Sequence, residues 1–239
     1  MNQSLGIRKD KEKINIESFY KESSNFNNFC YSNILIIYIN KKPNNVIIAS
    51  DIIWFSQNIA ETIRELISKD LKIPVSSVVL NASHTHGTPN PEKNILTPVS
   101  SSSFNSYLIA SLKDLFKKVK EKKLINVEIK YRSVENTKFS ISRRRKALRL
   151  KPYITYDMQS LPNSKILIDT NIDIVDFKDA KNKTICSIIR LSCHPVTALK
   201  NTYGPDYIGY IRKYFKKENI DIFFMQGFCG DIRPKLIYK

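Results

Sequence analysis

The apolar residues of this 239-residue chain fall into short runs punctuated by turn-forming residues. Residues 33–40 (NILIIYIN) make a nearly continuous apolar run of strand length, as expected of a strand buried on both faces. Lys41-Lys42-Pro43-Asn44-Asn45 predicts a turn, and 46–50 a second strand that ends at Asp51. From 54 to 71 the period changes, with Ile59, Ile63, Leu66 and Ile67 at helical spacing. Pro74 separates this helix from a strand at 77–80, completing a strand–helix–strand unit. A loop rich in Pro and Ser is expected at 87–103. An amphipathic helix follows at 106–123, with Leu108, Leu112, Leu115 and Val119 facing inward. Strands are predicted at 126–132 and 138–142, irregular structure at 146–164, and a strand pair at 165–177 and 184–191. A helix at 206–217, a strand at 222–225 and a glycine loop at 226–231 complete the layout. This alternation of strands and helices predicts an α/β fold, and 239 residues suffice for one domain or two tightly joined ones.

All three histidines lie in two short motifs, Asn81-Ala82-Ser83-His84-Thr85-His86 and Leu191-Ser192-Cys193-His194-Pro195, each behind an apolar run. Strand ends are where α/β folds place their chemistry. His84 and His86, at i and i+2, share one face if the backbone is extended. His194 arrives from a second apolar run, expected in the same sheet system. Three converging imidazoles suit a metal such as a catalytic zinc, which keeps one position open. The alternative is three structural histidines satisfied at strand ends. The motifs H-E-x-x-H, G-x-S-x-G, Walker A and the dinucleotide-binding glycine fingerprint are all absent. Asp51 is a candidate carboxylate for orienting an imidazole. Asp206 is a candidate site residue or a helix N-cap, and Arg143 could hold a carboxylate or an oxyanion.

Composition narrows the class. With 42% hydrophobic and 26% charged residues the chain reads as globular. No apolar run approaches the roughly 18–20 residues that span a bilayer. The opening residues Met1 to Asp10 lack the apolar core of a secretory signal, so a cytoplasmic location is the default expectation. A net charge of +17 raises the question of nucleic acid or anionic lipid. The lysines spread widely as solvated doublets, and only Arg143-Arg144-Arg145-Lys146 is dense. Without a recognisable binding motif, a nucleic-acid partner is not expected. Cys30, Cys186, Cys193 and Cys229 have no metal-ligand spacing, and Cys186 and Cys193 read as buried free thiols.

Taken in order, the motifs resemble those of the neutral/alkaline non-lysosomal ceramidases and their smaller bacterial relatives. Asn81 to Pro89 is similar to the family's histidine motif, and Ala49-Ser50-Asp51 to the strand-ending aspartate upstream of it. Ile141 to Arg144 resembles an Asn-Arg segment, Leu191 to Pro195 the second histidine motif, and Gly204 to Tyr210 the Asp-x-x-Gly-Tyr segment. Met225 to Pro234 resembles the Gln-Gly-x-x-Gly-Asp loop. The resemblance implies Zn²⁺ as cofactor, with His84 and His194 as ligands and His86 and Arg143 in catalytic roles. Asp51, Asp206 and Asp231 would be supporting residues. The implied reaction is hydrolysis of an amide bond in an N-acyl lipid or related small-molecule substrate.

Two departures accompany the resemblance. Arg233 stands where the family carries its serine nucleophile, and the family's remaining ligands, a Glu and a Tyr, come from sequence beyond the Gly-Asp loop. The resemblance therefore implies a single ceramidase-like α/β domain over residues 1–239, of mixed β-sheets flanked by helices, incomplete or divergent at both ends. Its alternative is a non-catalytic relative that binds metal, lipid or a partner.

Overall fold

The computed structural model describes residues 4–14, 25–26, 29–91, 102–149, 155–197 and 202–235. Fourteen strands and three α-helices occur among them: β1 (Leu5–Ile14), β2 (Asn25–Phe26), β3 (Cys30–Ile39), β4 (Lys42–Ser50), α1 (Gln57–Leu71), β5 (Val78–Ala82), α2 (Ser102–Glu121), β6 (Ile125–Asn126), β7 (Glu128–Glu135), β8 (Ser140–Arg149), β9 (Thr155–Asn163), β10 (Asn171–Lys178), β11 (Thr184–Leu191), β12 (Thr202–Tyr203), α3 (Tyr207–Lys216), β13 (Asp221–Gln226) and β14 (Ile232–Pro234).

Two main sheets pack face to face, one in the order β5-β4-β3-β1-β6 and the other β13-β11-β10-β7. Both are mixed: β4–β5 and β11–β13 run parallel, and the other pairs antiparallel. The long apolar run sits in β3, at the centre of the first sheet, and its two faces enter different cores. Ile34, Ile36 and Tyr38 face α1 and α2 among Ile59, Ile63, Phe104, Leu108 and Phe116. Leu35 and Ile37 face the second sheet, with Ile7, Ala49, Phe177 and Phe223. Each fully buried side chain of this size contributes about 1.5–3 kcal/mol. A third cluster, Leu191, Cys193, Tyr207, Ile208 and Phe224, seats α3 on the far side. The result is the expected α/β arrangement of mixed sheets flanked by helices.

Several elements differ from the sequence expectation. The apolar pattern predicts no element before residue 33, yet β1 lies between β3 and β6. Its apolar alternation is hidden by Arg8-Lys9-Asp10-Lys11-Glu12-Lys13, whose charges alternate instead. Lys9 and Lys11 both pair with Asp221 on the second sheet, while Asp10 and Glu12 pair with Lys122 and Lys118 on the α2 side. Much of 146–164, expected to be irregular, forms the β8–β9 hairpin, paired from Ser142↔Asn163 to Arg149↔Thr155. Arg144, Arg145 and Lys146 are exposed there, so this stretch carries no core signal. The strand expected from 165 begins at Asn171, after a loop in which Leu167 is 98% exposed. The helix expected from 54 begins at Gln57, behind Ser56, whose hydroxyl accepts the Ile59 N–H at 3.3 Å. Most of the Pro- and Ser-rich loop expected at 87–103 falls outside the described residues.

No helix among the described residues is long and apolar enough to cross a membrane. All four cysteines are free, with Cys30, Cys186 and Cys193 buried and Cys229 half-buried.

Candidate metal centre

The two histidine motifs belong to different sheets, contrary to the expectation that they share one. His84 follows β5 and His194 follows β11, and a reciprocal amide pair joins the two sheets beside them. Asn81 Nδ2 donates to the Gln226 carbonyl at 3.1 Å, and the Gln226 N–H donates to Asn81 Oδ1 at 2.8 Å. The Gln226 side chain also donates to the Leu191 carbonyl at 3.1 Å. The ends of β5, β11 and β13 are thereby held together by side-chain amides.

Beyond β5 the backbone is not extended. Ser83 N–H donates to the Ser50 carbonyl (2.9 Å) and His84 N–H to the Ile52 carbonyl (3.0 Å), continuing the pairing into the turn after β4. His84 then adopts φ 64°, a left-handed conformation uncommon outside glycine. This kink, rather than simple alternation, brings His84 and His86 to one place. Thr85 between them is buried and donates its hydroxyl to the Gly204 carbonyl at 2.7 Å. Gly87 and Gly204 meet backbone to backbone, where a Cβ on Gly87 would collide with the O and N of Gly204.

The three rings converge. Their centroids lie 5.3 Å (His84–His86), 4.6 Å (His84–His194) and 5.3 Å (His86–His194) apart. One nitrogen from each imidazole falls within 4.8 Å of the others, and the Nε2 atoms of His86 and His194 are 3.2 Å apart. His84 Nδ1 is 2.9 Å from the Ile53 carbonyl and His194 Nδ1 is 3.0 Å from the Cys229 carbonyl. A carbonyl only accepts, so each Nδ1 carries the proton and each Nε2 presents its lone pair.

Burial, chiefly, lowers the pKa of all three imidazoles, and that of His194 is pushed down to about 4. The Arg143 cation lowers each further, whereas the Asp206 carboxylate acts in the opposite sense on His86. Neutral imidazoles are the form that binds a metal ion. A tetrahedral zinc site with bonds of 2.0–2.1 Å spaces its nitrogens about 3.4 Å apart. One ring nitrogen from each of the three histidines lies within 4.8 Å of the others, so the donor set fits a metal.

The other expected residues divide. Arg143 is at the site. It lies at an irregularity of the β8–β9 ladder, where it stands against both Leu161 and Pro162, the latter without an N–H to pair. Its backbone N–H donates to the Asp231 carbonyl at 2.7 Å, and its guanidinium donates to the Gly230 carbonyl through Nη2 at 2.9 Å and Nε at 3.2 Å. It therefore fixes the loop whose Cys229 carbonyl orients His194. Asp231 contributes that backbone oxygen, and its carboxylate partly offsets the Arg144 and Arg233 charges around Arg143. Arg233, half-buried in β14, pairs with Ile141.

Asp51 does not orient an imidazole, because its carboxylate has other partners. It is fully buried, receives both terminal nitrogens of Arg212, and accepts the Tyr31 N–H at 2.9 Å. The group that orients His84 is the Ile53 carbonyl, in the turn Asp51 begins. Asp206 is the N-cap of α3 and also accepts both the N–H (2.8 Å) and the hydroxyl (2.6 Å) of Thr197. Burial pushes the Cys229 thiol up, away from a reactive thiolate.

Sequence reasoning missed Asn81, Gln226, Arg212 and the two orienting carbonyls. Asn81 and Gln226 each stand at a strand end beside a recognised motif. The carbonyls carry no residue-type signal at all.

Comparisons with protein-family models and with curated proteins found no match. Solved structures do match. A neutral ceramidase from Pseudomonas aeruginosa superposes with a TM-score of 0.73 at 14% identity, over 98% of this chain and 40% of that one. A ceramidase complexed with C2 superposes with a TM-score of 0.72 at 15% identity, over 98% and 39%. The chain thus spans about two fifths of the length of the solved structures it resembles. The fold is ceramidase-like, and at its strand ends stands a histidine triad with the geometry to hold a metal ion.

Proposed function

We propose that the chain is a zinc-dependent hydrolase of the neutral ceramidase-like type, cleaving the amide bond of an N-acyl lipid or related substrate, within one domain over residues 1–239. The observation that carries this reading is the pair of backbone carbonyls holding the Nδ1 atoms of His84 and His194, which leaves both Nε2 lone pairs available to a metal. His84 and His194 are the proposed ligands. Bound zinc would supply Lewis acidity toward the amide carbonyl and lower the pKa of water to about 7.

The rest is done by the chain's own side chains. His86 is exposed and stands 3.2 Å from His194, so it can take a proton from attacking water and return it to the departing amine nitrogen. Arg143 places a positive charge beside the cluster, where it stabilises the oxyanion that forms as the carbonyl is attacked. With Arg233 where the family has its serine, the proposed nucleophile is water. Asp51, Asp206 and Asp231 act by holding the turn, helix and loop that carry these groups.

Metal content and hydrolysis of a panel of N-acyl amphiphiles test the reading. Zinc should bind the wild type and be lost from His84→Ala and from His194→Ala. His86→Ala should keep the metal while turnover falls about 10²–10⁴-fold. Unchanged metal content in both ligand variants would sink the site. Arg233 favours a second reading, a non-catalytic relative that binds metal, lipid or a partner; zinc bound at His84 and His194 without turnover on any substrate would support it.

A further inference from the structure

The β8–β9 hairpin has a feature that the histidine chemistry does not use. β14 pairs with β8 only at Ser140, Ile141 and Ser142, and beyond that point β8 pairs with β9 alone. Directly opposed residues of an antiparallel pair share a face. The register Arg144↔Ser160, Lys146↔Met158, Leu148↔Tyr156 therefore places six side chains on one side of the arm. Three of them are large and apolar, and they are 58% (Leu148), 69% (Tyr156) and 54% (Met158) exposed. Side chains this open contribute nothing to a core, and no carboxylate stands among the six.

The order along the arm distinguishes the occupant. Of these six, Leu148 and Tyr156 lie furthest from the sheet root, Met158 and Lys146 come next, and Arg144 is nearest that root, with consecutive pairs about 7 Å apart at strand rise. Apolar groups and a tyrosine in front, with cations behind, match the layering of a bilayer surface: acyl chains first, then phosphates. A protein interface instead surrounds an apolar centre with a polar rim. The chain's net charge of +17 gives the long-range attraction.

We propose that this hairpin is a membrane-interfacial anchor that lays Leu148, Tyr156 and Met158 into a bilayer containing anionic lipid, with Lys146 and Arg144 at the phosphates. The inference does not depend on metal or on turnover. If an amide lipid is the substrate, the anchor delivers it to the site, since Arg143 at the arm's root holds the Gly230 carbonyl beside the histidine cluster.

The test is co-sedimentation of the full chain with phosphatidylcholine vesicles, with and without phosphatidylglycerol. Leu148→Ser/Tyr156→Ser/Met158→Ser leaves the charge unchanged, so it separates anchoring from simple attraction of a basic protein. Wild type should bind the anionic vesicles, and the triple variant should bind about tenfold or more weakly. Tyr156→Trp gives a second readout independent of that variant's folding: its emission should be quenched by lipids brominated in the acyl chain, unlike that of a parent whose single tryptophan is Trp54. Wild-type protein that ignores anionic vesicles, a triple variant that binds as wild type, or a Tyr156→Trp emission that brominated lipid leaves unquenched overturns the proposal. So does an arm that instead binds single-stranded DNA or drives self-association.

Discussion

The Nε2 atoms of His86 and His194 lie 3.2 Å apart, and the contact between them has a single direction. His194 donates from Nδ1 to the Cys229 carbonyl, so as a neutral ring its Nε2 can only accept. His86 must then donate. A metal ion taking the His194 lone pair displaces that proton donor, so loading is coupled to a change at His86.

The acid response of the metal-free protein follows from the same burial. His194 has a folded-state pKa of about 4, against about 6.5 in an unfolded chain. As pH falls, the unfolded state takes up the proton first. The contribution is therefore fully present above about pH 6.5 and is lost as pH falls through about 4, to a total on the order of 3 kcal/mol. Urea unfolding across this window should show the decline, and His194→Gln should flatten it. An unchanged slope would remove His194 as the cause.

Arg212 is expected to matter for a site it does not touch. It is the charged partner of the fully buried Asp51, with Nη2 2.7 Å from Oδ1. Arg212→Ala leaves that carboxylate uncompensated and should cost about 3–5 kcal/mol in denaturant unfolding. It should also weaken zinc binding by about tenfold or more, because the turn from Asp51 presents the Ile53 carbonyl to His84. Full zinc affinity in a folded Arg212→Ala protein would disconnect the turn from the site.

Two glycines in the site loops should respond differently to alanine. At Gly87 the added carbon meets the Gly204 backbone, which has no rotamer to yield; Gly87→Ala should destabilise by about 2 kcal/mol or more and disturb both histidine loops. At Gly230 nothing lies within 4 Å, and Gly230→Ala should stay within about 0.5 kcal/mol. Thermal melts of the two variants check this directly.

Asp206 holds a backbone conformation, φ 58° and ψ −144°, that only glycine adopts readily. Substituting glycine would relieve about 1–3 kcal/mol of strain. It would also remove the cap on Tyr207 and both tethers to Thr197. Three hydrogen bonds to a carboxylate outweigh the strain, so Asp206→Gly and Asp206→Ala should both destabilise. A stabilised Asp206→Gly protein would reverse that ranking.

What the sequence made legible was apolar periodicity. β3, α1 and α2 follow from the spacing of their isoleucines and leucines, because those elements bury what the pattern marks. β1 and the β8–β9 hairpin escaped it for opposite reasons: β1 is central but marked by charge, and the hairpin is a strand pair with little to bury. The three histidines were recognisable as a cluster because residue type and motif position coincide. Their actual junction was not, since it rests on the φ of His84, on two main-chain carbonyls, and on an amide pair joining residues 145 positions apart.

The charges of β1 also act as an address. A slip of one residue would turn Lys9 and Lys11 toward Lys118 and Lys122, and Asp10 and Glu12 toward Asp221, so that every cross-layer pair became a repulsion. An isoleucine-rich strand between two hydrophobic cores would tolerate wrong pairings far more readily. The lysines and acids that mask β1 in the sequence thus leave it one seat in the sheet, and they do so from outside the apolar contacts that hold it there.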